Sequence, residues 1–370
     1  MRKDSPQIVF AGGGTGGHLF PAFAVAEELR RRRPAARIWF IGARRGLEQR
    51  LVPAAGYSLR SLAISGIKGR GVAGKLSAGV AAAVALLRCL VWLGRARPDL
   101  VIGVGGYASG PAVLAATWLK LRTMVLEQNH YPGTTNRWLA PRVDRVCVPS
   151  EEARARLGGR GVVTGNPVRA AFSTITAAPG RPALSILVFG GSRGAQSINR
   201  ALLEALTELA ILDPPPEVLH QTGAGELSGE GRAQPDYPTG KYRAVEFIDD
   251  MPARLADADL VIARAGATTL AELAVAGRPS ILIPYPFAAD DHQRHNAETL
   301  RVAGAAEVIL DADLDGPRLA RCIGELGADR ERLQRMAAAA QRAGRPDAAA
   351  RIGDLAEQLL DGLVRGDHVS

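Results

Sequence analysis

Short apolar runs alternate with longer amphipathic stretches along the first half of the chain. The apolar runs predict β-strands, and the stretches with apolar residues at helical spacing predict helices. Strands are predicted over residues 8–10, 37–42, 100–103, 123–127 and 145–148, and helices over residues 21–33 and 46–55. Short apolar strands separated by helices indicate a parallel sheet that is covered on both faces. Ligands of such sheets bind beyond the carboxyl ends of the strands.

The same pattern starts again in the second half of the chain. It pauses over residues 162–182, and then an apolar run at 184–189 leads through a glycine-rich turn into a helix from about Ile198. Further strands are predicted at 260–263 and 280–284, with a helix between them that stops at Gly277. Within that helix, Thr269 and Glu272 have the spacing of a capping box. Two strand–glycine turn–helix starts indicate two α/β domains that face each other across a cleft.

The domain boundaries follow from where the pattern pauses and resumes. We expect a first domain over residues 1–165 and a second over residues 166–340. The remaining residues, 341–370, are rich in alanine and predict a C-terminal helix that packs back toward the first domain.

The turn between the first strand and the first helix, residues 12–17, is almost entirely glycine. Glycines let the backbone approach a ligand closely and can point successive N–H groups into one concavity. Such a nest beside a helix N-terminus favours a negatively charged group. His18 follows the turn and can exchange a proton near neutral pH, which makes it a candidate general base. A lone histidine is otherwise most often structural, and both interpretations are open at this point.

An excess of basic residues narrows the classes of partner. The chain has 46 Lys and Arg against 37 Asp and Glu, which gives a net charge of +9. This balance favours nucleic acid, anionic lipid or a phosphorylated ligand. Aromatic residues make up only 5% of the chain and do not interleave with a basic run, so we expect no nucleic-acid partner.

The cysteines and the N-terminus indicate the cellular compartment of the chain. The cysteines Cys89, Cys147 and Cys322 lie far apart and have neither a disulfide nor a zinc-binding spacing. The N-terminus leads into the first strand without a signal-peptide core, so a cytosolic chain is expected.

The region from Ile64 to Trp92 is apolar with basic residues between, and its longest uncharged stretch is shorter than the ~18–20 residues that span a bilayer. It is either a core helix or an apolar surface with a basic rim that docks on an anionic membrane.

The glycine-rich turn also permits a different ligand. Residues 12–17 match the dinucleotide fingerprint G-x-G-x-x-G, so a nicotinamide oxidoreductase is an alternative. Where that fold has an acidic residue for the ribose, this chain has Arg44 and Arg45, which could bind the 2′-phosphate of NADP. No Lys-Ser/Thr pair follows the glycines, so the motif is not a Walker A loop.

Two pairs of aspartates, at 257/259 and 311/313, have the Asp-x-Asp spacing that some sugar transferases use to bind a metal. The first pair begins at a predicted helix end, and the second lies in a predicted surface turn. We therefore expect no metal and no other cofactor. A transferase of this kind has to stabilise a leaving diphosphate with backbone N–H groups and helix dipoles.

Eight motifs follow one another along the chain in a family-specific order. They are GGTGGHLFP (13–21), ISG (64–66), GGYASGP (105–111), EQN (127–129), GNPVR (165–169), GGSRGA (190–195), EFIDDM (246–251) and RAGATT (264–269). In order and spacing they resemble the MurG family of bacterial N-acetylglucosamine transferases, over essentially the whole chain. The resemblance implies an α/β chain with the GT-B glycosyltransferase fold, in which two Rossmann-like domains have parallel sheets facing a central cleft.

The resemblance also implies an activity and a location. The family's reaction is an inverting transfer of N-acetylglucosamine from UDP-N-acetylglucosamine to the 4-hydroxyl of the muramoyl sugar of lipid I, an undecaprenyl-linked acceptor, which gives lipid II for peptidoglycan. It implies a peripheral enzyme on the cytoplasmic face of the bacterial cell membrane, docked on anionic lipid through the region from Ile64 to Trp92. It further implies contact with the cell-wall or division machinery, and so a role in cell shape and division.

Matching positions give the site residues that the resemblance implies. Ile248 would contact the uracil through its backbone, Glu272 the ribose hydroxyls and Gln293 the sugar. The helix start at 266–269 and Ser192 would meet the phosphates. This chain has His292 before Gln293 where the family often has paired glutamines. The implied donor-binding set is Thr15, Gly16, Gly17, Asn129, Arg169, Ser192, Ile248, Ala267, Thr268, Glu272 and Gln293.

The remaining implied residues belong to catalysis and to the acceptor. His18 matches the family's proposed general base, and Tyr107 and Ser109 would lie on the acceptor side. A UDP-N-acetylglucosamine 2-epimerase is an alternative because it shares the fold type and the donor. It needs acid–base groups on both faces of the sugar C2, for which the sequence offers Glu127 and Glu272. A catalytically inactive module that binds the UDP-sugar without turnover is another alternative.

Overall fold

The computed structural model describes residues 5–64, 72–176, 181–191, 194–225 and 237–362, the side chains of 72–76 and 289 excepted. The chain divides into two compact units. Unit 1 contains Met1–Arg169 and Pro346–Ser370, and unit 2 contains Ala170–Arg345.

Unit 1 is built on a parallel sheet. Its strands are β1 (Gln7–Ala11), β2 (Arg37–Ala43), β3 (Ser58–Leu62), β4 (Leu100–Gly103), β5 (Thr123–Leu126), β6 (Arg145–Val148) and β7 (Val162–Val163). They are hydrogen-bonded in the order β3-β2-β1-β4-β5-β6-β7, and each of these neighbouring pairs is parallel. The order changes direction between β1 and β4, and ligands of open α/β sheets bind beyond the carboxyl ends of the strands at such a point. The loops after β1 and β4 are therefore where a site in unit 1 is expected.

Helices cover both faces of this sheet, which confirms what the continuous apolar strands predict. The helices before residue 170 are α1 (Gly16–Arg32), α2 (Glu48–Ala54), α3 (Val72–Ala96), α4 (Ser109–Trp118), α5 (Thr134–Leu139) and α6 (Glu151–Arg156). One face of the sheet, with Ile8 and Phe10, packs in the same core as residues of α1. The other face, with Val9 and Ile41, packs with residues of α3 and α4. Alternate strand residues thus enter two separate cores.

Unit 2 repeats the same strand order. Its strands are β8 (Ser185–Phe189), β9 (Glu217–Gln221), β10 (Tyr242–Val245), β11 (Leu260–Ala263), β12 (Ser280–Leu282) and β13 (Ala306–Val308). They pair in the order β10-β9-β8-β11-β12-β13, all in parallel. The helices are α7 (Ala170–Ser173), α8 (Gln196–Leu209), α9 (Met251–Asp257), α10 (Ala267–Val275), α11 (His292–Val302), α12 (Gly316–Ala328) and α13 (Arg330–Ala343). The order reverses between β8 and β11, so the loops after these two strands are the expected site of unit 2.

The last helix, α14 (Ala348–Leu360), belongs to unit 1 and packs against α1. Its apolar residues Ile352, Ala356 and Leu359 are fully buried in the core that contains Leu29. Arg32 lies across it and donates to Asp354 at 2.6 Å, to Glu357 at 3.1 Å and to the carbonyl of Ala350 at 2.8 Å. Apolar burial and a multiply bonded arginine therefore fix this helix.

We expect Glu28→Gln to destabilise the chain at neutral pH and to lose that effect in acid. Hydrogen bonds from Arg31 and Arg32 lower the pKa of Glu28 from its ordinary 4.5 to about 2. A carboxyl whose pKa falls on folding stabilises the native state above its unfolded pKa, and this contribution is lost as the pH falls through the folded value. The difference in the free energy of unfolding between wild type and variant should therefore shrink between about pH 4.5 and pH 2. Urea denaturation across this range measures it, with exposed Glu151→Gln as the control.

Two local predictions are wrong in an instructive way. Helix α1 begins at Gly16 and not at Pro21, so Pro21 lies inside the helix and His18 belongs to its first turn. The capping-box interpretation of Thr269 and Glu272 is also wrong. The N-cap of α10 is Gly266, which has no side chain to make the cap hydrogen bond, and Thr269 lies inside the helix.

Candidate active site

Two glycine loops interlock at the carboxyl end of the unit 1 sheet. The loop after β1 carries Gly12 and Gly13, and the loop after β4 carries Gly105 and Gly106. The N–H of Gly13 donates to the carbonyl of Gly105 at 3.3 Å. A Cβ on Gly12 would overlap that carbonyl, and a Cβ on Gly106 would overlap the carbonyl of Gly13. The backbones approach so closely that only glycine fits at these points.

Glu48 lies beneath the first glycine loop with only 1% of its surface exposed. Its carboxylate accepts the N–H of Gly14 at 2.8 Å and the N–H of Ala43 at 2.7 Å. The N–H of Gly12 donates to the carbonyl of Ile41. The N–H groups of the first three glycines of the loop are thus used inside the fold. These three N–H groups are therefore not available to an anion, and the first three glycines do not form the nest that the glycine-rich turn predicts; the N–H of Gly14 donates to a buried carboxylate instead.

His18 lies on the first turn of α1, against the second glycine loop, and is half-buried. Its Nδ1 is 3.1 Å from Oε1 of Gln128, which follows β5. A Cβ on Gly105 would lie 2.7 Å from Nδ1 of His18, so the absence of a side chain there makes room for the imidazole ring. Tyr107, from the same loop as Gly105, is 58% exposed. The structure therefore brings the imidazole and the second glycine loop together at one edge of the sheet.

Glu127 organises the loop after β5. Its Oε1 accepts from the backbone and side-chain N–H groups of Asn129, and its Oε2 accepts from Gly133 and from the side chain of Asn136. The carboxylate is 3% exposed and accepts four hydrogen bonds. Glu127 therefore holds Asn129 in place and is not placed to act as an acid or base.

In unit 2, the start of α10 lies at the point where the strand order reverses. The helix has no acidic residue in its first turn and no side-chain cap. Ala267 and Thr268 are its first two residues, and Glu272 lies further along and is buried. The N-terminal N–H groups and the helix dipole favour an anion at such an end. Such a helix start suits a diphosphate.

Arg264, at the end of β11, ties the surrounding loops together. Its guanidinium donates to Asp311 at 2.5 Å, to Ser197 at 2.8 Å and to the carbonyls of Ile283 and Pro284. Asp311 is one of the aspartates with Asp-x-Asp spacing, and here it accepts from arginine and serine. In the described part of the chain, no group of three or more His, Cys, Asp or Glu could hold a metal ion.

Gln221 connects the glycine loop of unit 2 with Ile248. Its Nε2 donates to the carbonyl of Gly191 at 3.0 Å, and its Oε1 accepts the N–H of Ile248 at 2.8 Å. Uracil contact through the N–H of Ile248 would therefore require Gln221 to move or to share that donor. On α11, Oε1 of Gln293 accepts the N–H of Tyr285 at 3.0 Å, which fixes the side chain on its loop.

Comparisons with known proteins cover both units. Residues 8–148 match the glycosyltransferase family 28 N-terminal domain, and residues 185–352 match the glycosyltransferase family 28 C-terminal domain. The UDP-N-acetylglucosamine--N-acetylmuramyl-(pentapeptide) pyrophosphoryl-undecaprenol N-acetylglucosamine transferase of Anaeromyxobacter sp. (strain K) is 45% identical over 366 residues, which is 96% of this chain and 93% of the relative. The crystal structure of Acinetobacter baumannii MurG has a TM-score of 0.77 and 30% identity, and covers 95% of this chain and 99% of that chain.

This chain belongs to the MurG family. It is therefore a glycosyltransferase with the GT-B fold, of the class that transfers N-acetylglucosamine, as the eight sequence motifs predict. The UDP-GlcNAc 2-epimerase from Neisseria meningitidis has a TM-score of 0.67 at only 14% identity, with 95% of this chain and 100% of that chain covered. That likeness shows the fold alone.

The implied MurG site residues fall into groups in the structure. Thr15, Gly16 and Gly17 lie at the start of α1 beside His18. Arg169 lies in unit 1, with its guanidinium 4.6 Å from the ring centroid of Phe20, and not among the unit 2 residues with which the resemblance grouped it.

Two implied residues need separate comment. Ser109 is fully buried at the start of α4, and its Oγ has no hydrogen-bond partner among the described residues. It packs against Gly103, so its implied position on the acceptor side is not supported. Ser192 lies outside the described residues.

Glu48, Gln128, Gln221 and Arg264 shape the site but were given no role from the sequence. Each acts through a contact with a residue distant in the chain, such as the 34 positions between Gly14 and Glu48. For Gln128 and Arg264, their places directly after predicted strands were a usable signal. Glu48 and Gln221 offered none.

Proposed function

We propose that this chain transfers N-acetylglucosamine from UDP-N-acetylglucosamine to the 4-hydroxyl of the muramoyl sugar of lipid I and so forms lipid II. The observation that carries the proposal is the 45% identity over 96% of the chain to a transferase named for this reaction. The position of His18 against the second glycine loop and beside Gln128 supports it from the site itself. The reaction is a direct displacement that inverts the configuration at the sugar carbon.

The donor-binding part of the proposal rests on unit 2. The uncapped start of α10, at Ala267 and Thr268, receives the diphosphate, because backbone N–H groups and the helix dipole stabilise the leaving group. Glu272 binds the ribose hydroxyls and Ile248 the uracil. Gln293 binds the sugar through its amide nitrogen, since its Oε1 accepts from Tyr285.

The catalytic part of the proposal rests on unit 1. His18 takes the proton from the acceptor hydroxyl as that oxygen attacks, and general-base catalysis of this kind contributes about 10²–10⁴-fold. The exposed ring of Tyr107, on the loop that contacts His18, contributes to acceptor binding. Thr15, Gly16, Gly17 and Asn129 line the same edge of the sheet.

The structure weakens both enzyme alternatives. A dinucleotide would need the N–H groups of the first glycine loop, but Gly14 donates to the buried carboxylate of Glu48. The negative charge of Glu48 also opposes a pyrophosphate there. For a 2-epimerase, Glu127 would have to exchange protons with the sugar, but its carboxylate accepts four hydrogen bonds within its own loop.

Turnover of labelled UDP-N-acetylglucosamine by the purified full chain tests the proposal. The assay is run with and without a lipid I analogue, and in the presence of EDTA. Transfer of label to the lipid only when acceptor is added supports the transferase and shows that it works without a divalent metal. Release of free N-acetylmannosamine without acceptor would show an epimerase, and binding without turnover would show an inactive module.

We also propose that α3 docks this chain on the cytoplasmic face of the bacterial cell membrane. Val80, Val84, Leu87 and Val91 are spaced at helical intervals, and each is at least 46% exposed. On the opposite side, Ala85, Cys89 and Leu93 are buried in the unit 1 core, so the exposed stripe is a surface of a packed helix. By length and composition alone the segment Ser77–Ala96 could also cross a membrane, which is weak support for insertion. The basic residues Lys68 and Arg70 of the proposed rim lie outside the described residues, whereas Arg88 is exposed.

We expect Val84→Asp combined with Leu87→Asp to weaken binding to vesicles that contain phosphatidylglycerol by about tenfold or more, because burying one such side chain contributes about 1.5–3 kcal/mol. Vesicle sedimentation with the full chain measures the binding. Ile211→Asp is the matched control, since Ile211 is 84% exposed but lies in unit 2. Equal loss in the control, or unchanged binding in the double variant, contradicts the docking surface.

Attachment to the cell-wall or division machinery, with its consequences for cell shape and division, belongs to the same proposal. Family membership is what supports it. The test is whether cell-wall enzymes co-purify with the full chain from membranes. If they still co-purify with the Val84→Asp/Leu87→Asp variant, the contact is between proteins and does not depend on lipid binding.

A further inference from the structure

We propose that Gln128 is a positioning residue that holds His18 as the tautomer with its proton on Nδ1, which leaves Nε2 to accept the proton of the acceptor hydroxyl. The inference rests on the proposed function, in which His18 is the general base. It assigns a role to a side chain that has none in that proposal, and it identifies the ring nitrogen that reacts.

The orientation of the Gln128 amide follows from its surroundings. The side chain is buried, with 2% of its surface exposed. Its Nε2 lies 3.2 Å from the carbonyl oxygen of Val104 and 3.4 Å from that of Leu126. Carbonyl oxygens only accept hydrogen bonds, so the NH₂ group has to face them and the amide oxygen has to face the other way. Oε1 is therefore the atom that faces His18.

The tautomer of His18 follows from this orientation. Oε1 of Gln128 is 3.1 Å from Nδ1 of His18 and is an acceptor only, so Nδ1 has to carry a proton. A neutral imidazole has one N–H, and with that proton on Nδ1 the lone pair that accepts a proton is on Nε2. Catalytic histidines in general need such a second group to set tautomer and ring orientation.

The second glycine loop keeps this arrangement in place. A Cβ on Gly105 would lie 2.7 Å from Nδ1 and 2.8 Å from Cε1 of His18, so the backbone of this loop packs directly against the ring. Val104, whose carbonyl orients the Gln128 amide, precedes Gly105 in the same loop. One loop therefore orients the glutamine and confines the histidine.

Nitrogen-15 NMR of the ring nitrogens tests the tautomer without any activity measurement. The six histidines of the full chain are separated by comparing wild type with His18→Ala. We expect neutral His18 to show a protonated Nδ1 in wild type and in Gln128→Glu, which keeps an acceptor oxygen. In Gln128→Met we expect the Nε2–H form to appear. Exposed Gln49→Met is the matched control and should resemble wild type. A protonated Nε2 in wild type, or an unchanged pattern in Gln128→Met, overturns the inference.

Kinetics then test whether the tautomer matters. We expect Gln128→Met to lower kcat by about tenfold or more. The loss should not exceed the whole contribution of a general base, which is about 10²–10⁴-fold. In the His18→Ala background the same change should have little further effect, because both residues act through one imidazole. An equal loss in both backgrounds would assign Gln128 to loop packing and overturn the positioning role. If wild type shows no transfer to the lipid acceptor, the proposed function fails, while the NMR result still decides the tautomer.

Discussion

Replacing His18 with alanine is expected to lower kcat by about 10²–10⁴-fold, the usual contribution of a general base. The acceptor hydroxyl is a weak nucleophile until its proton is removed, and in the proposed mechanism the imidazole beside the second glycine loop takes that proton. The donor-binding residues proposed in unit 2 are unchanged by the substitution. KM for UDP-N-acetylglucosamine and its binding measured by calorimetry should therefore stay close to wild type. Steady-state transfer to a lipid I analogue measures the loss.

A second substitution separates proton transfer from packing. His18→Gln retains a polar side chain of comparable length that can still donate to Oε1 of Gln128, but it cannot accept a proton near neutral pH. We expect it to be nearly as slow as His18→Ala. Recovery of most of the activity in His18→Gln would assign the histidine to hydrogen bonding. Turnover within about threefold of wild type in His18→Ala would remove the base role altogether.

The sequence predicts the central strands well because their burial on both faces requires an apolar run. A strand that is buried on both faces has to be apolar throughout, and β4, β6 and β11 have the predicted bounds. The strands β3, β7, β10 and β13 were missed, and each lies at an edge of its sheet. Edge strands need no continuous apolar run, and β3 alternates exposed with more buried positions. The missed inner strand β9 ends in the buried polar pair His220 and Gln221.

The positions of the glycine loop and of His18 could be predicted from the sequence, but their hydrogen-bond partners could not. The glycines and His18 could be located from local sequence, because a turn and a helix start are local features. Which atoms the glycine N–H groups bond to depends on the packing of distant segments, and the N–H of Gly14 is bonded to Glu48 in another loop. The hydrogen bond between His18 and Gln128 joins residues 110 positions apart. A single sequence contains no information about such pairs beyond the order of the strands.

Glu48→Ala is expected to lower the free energy of unfolding by about 3 kcal/mol or more, because each buried donor left without a partner costs about 1–3 kcal/mol. Two donors bond to this carboxylate, the buried N–H of Ala43 and the partly buried N–H of Gly14. Its atoms also fill the space beside Gly13 and Gly42, so a cavity adds to the loss. The free energy of unfolding of Glu48→Gln should fall between those of wild type and Glu48→Ala, since an amide offers one acceptor oxygen and one donor in place of two acceptors.

Because Glu48 supports the loop that leads to His18, the same variants should also have a lower kcat. Urea denaturation measures the stability, and amide hydrogen exchange shows whether Gly14 and Ala43 lose protection together. Glu152→Ala is the control, since that carboxylate is 48% exposed on α6 and should change stability by no more than about 0.5 kcal/mol. If Glu48→Ala were as stable as the control, the loop would not depend on the buried carboxylate. The close packing of the two glycine loops would then be what holds His18 in place.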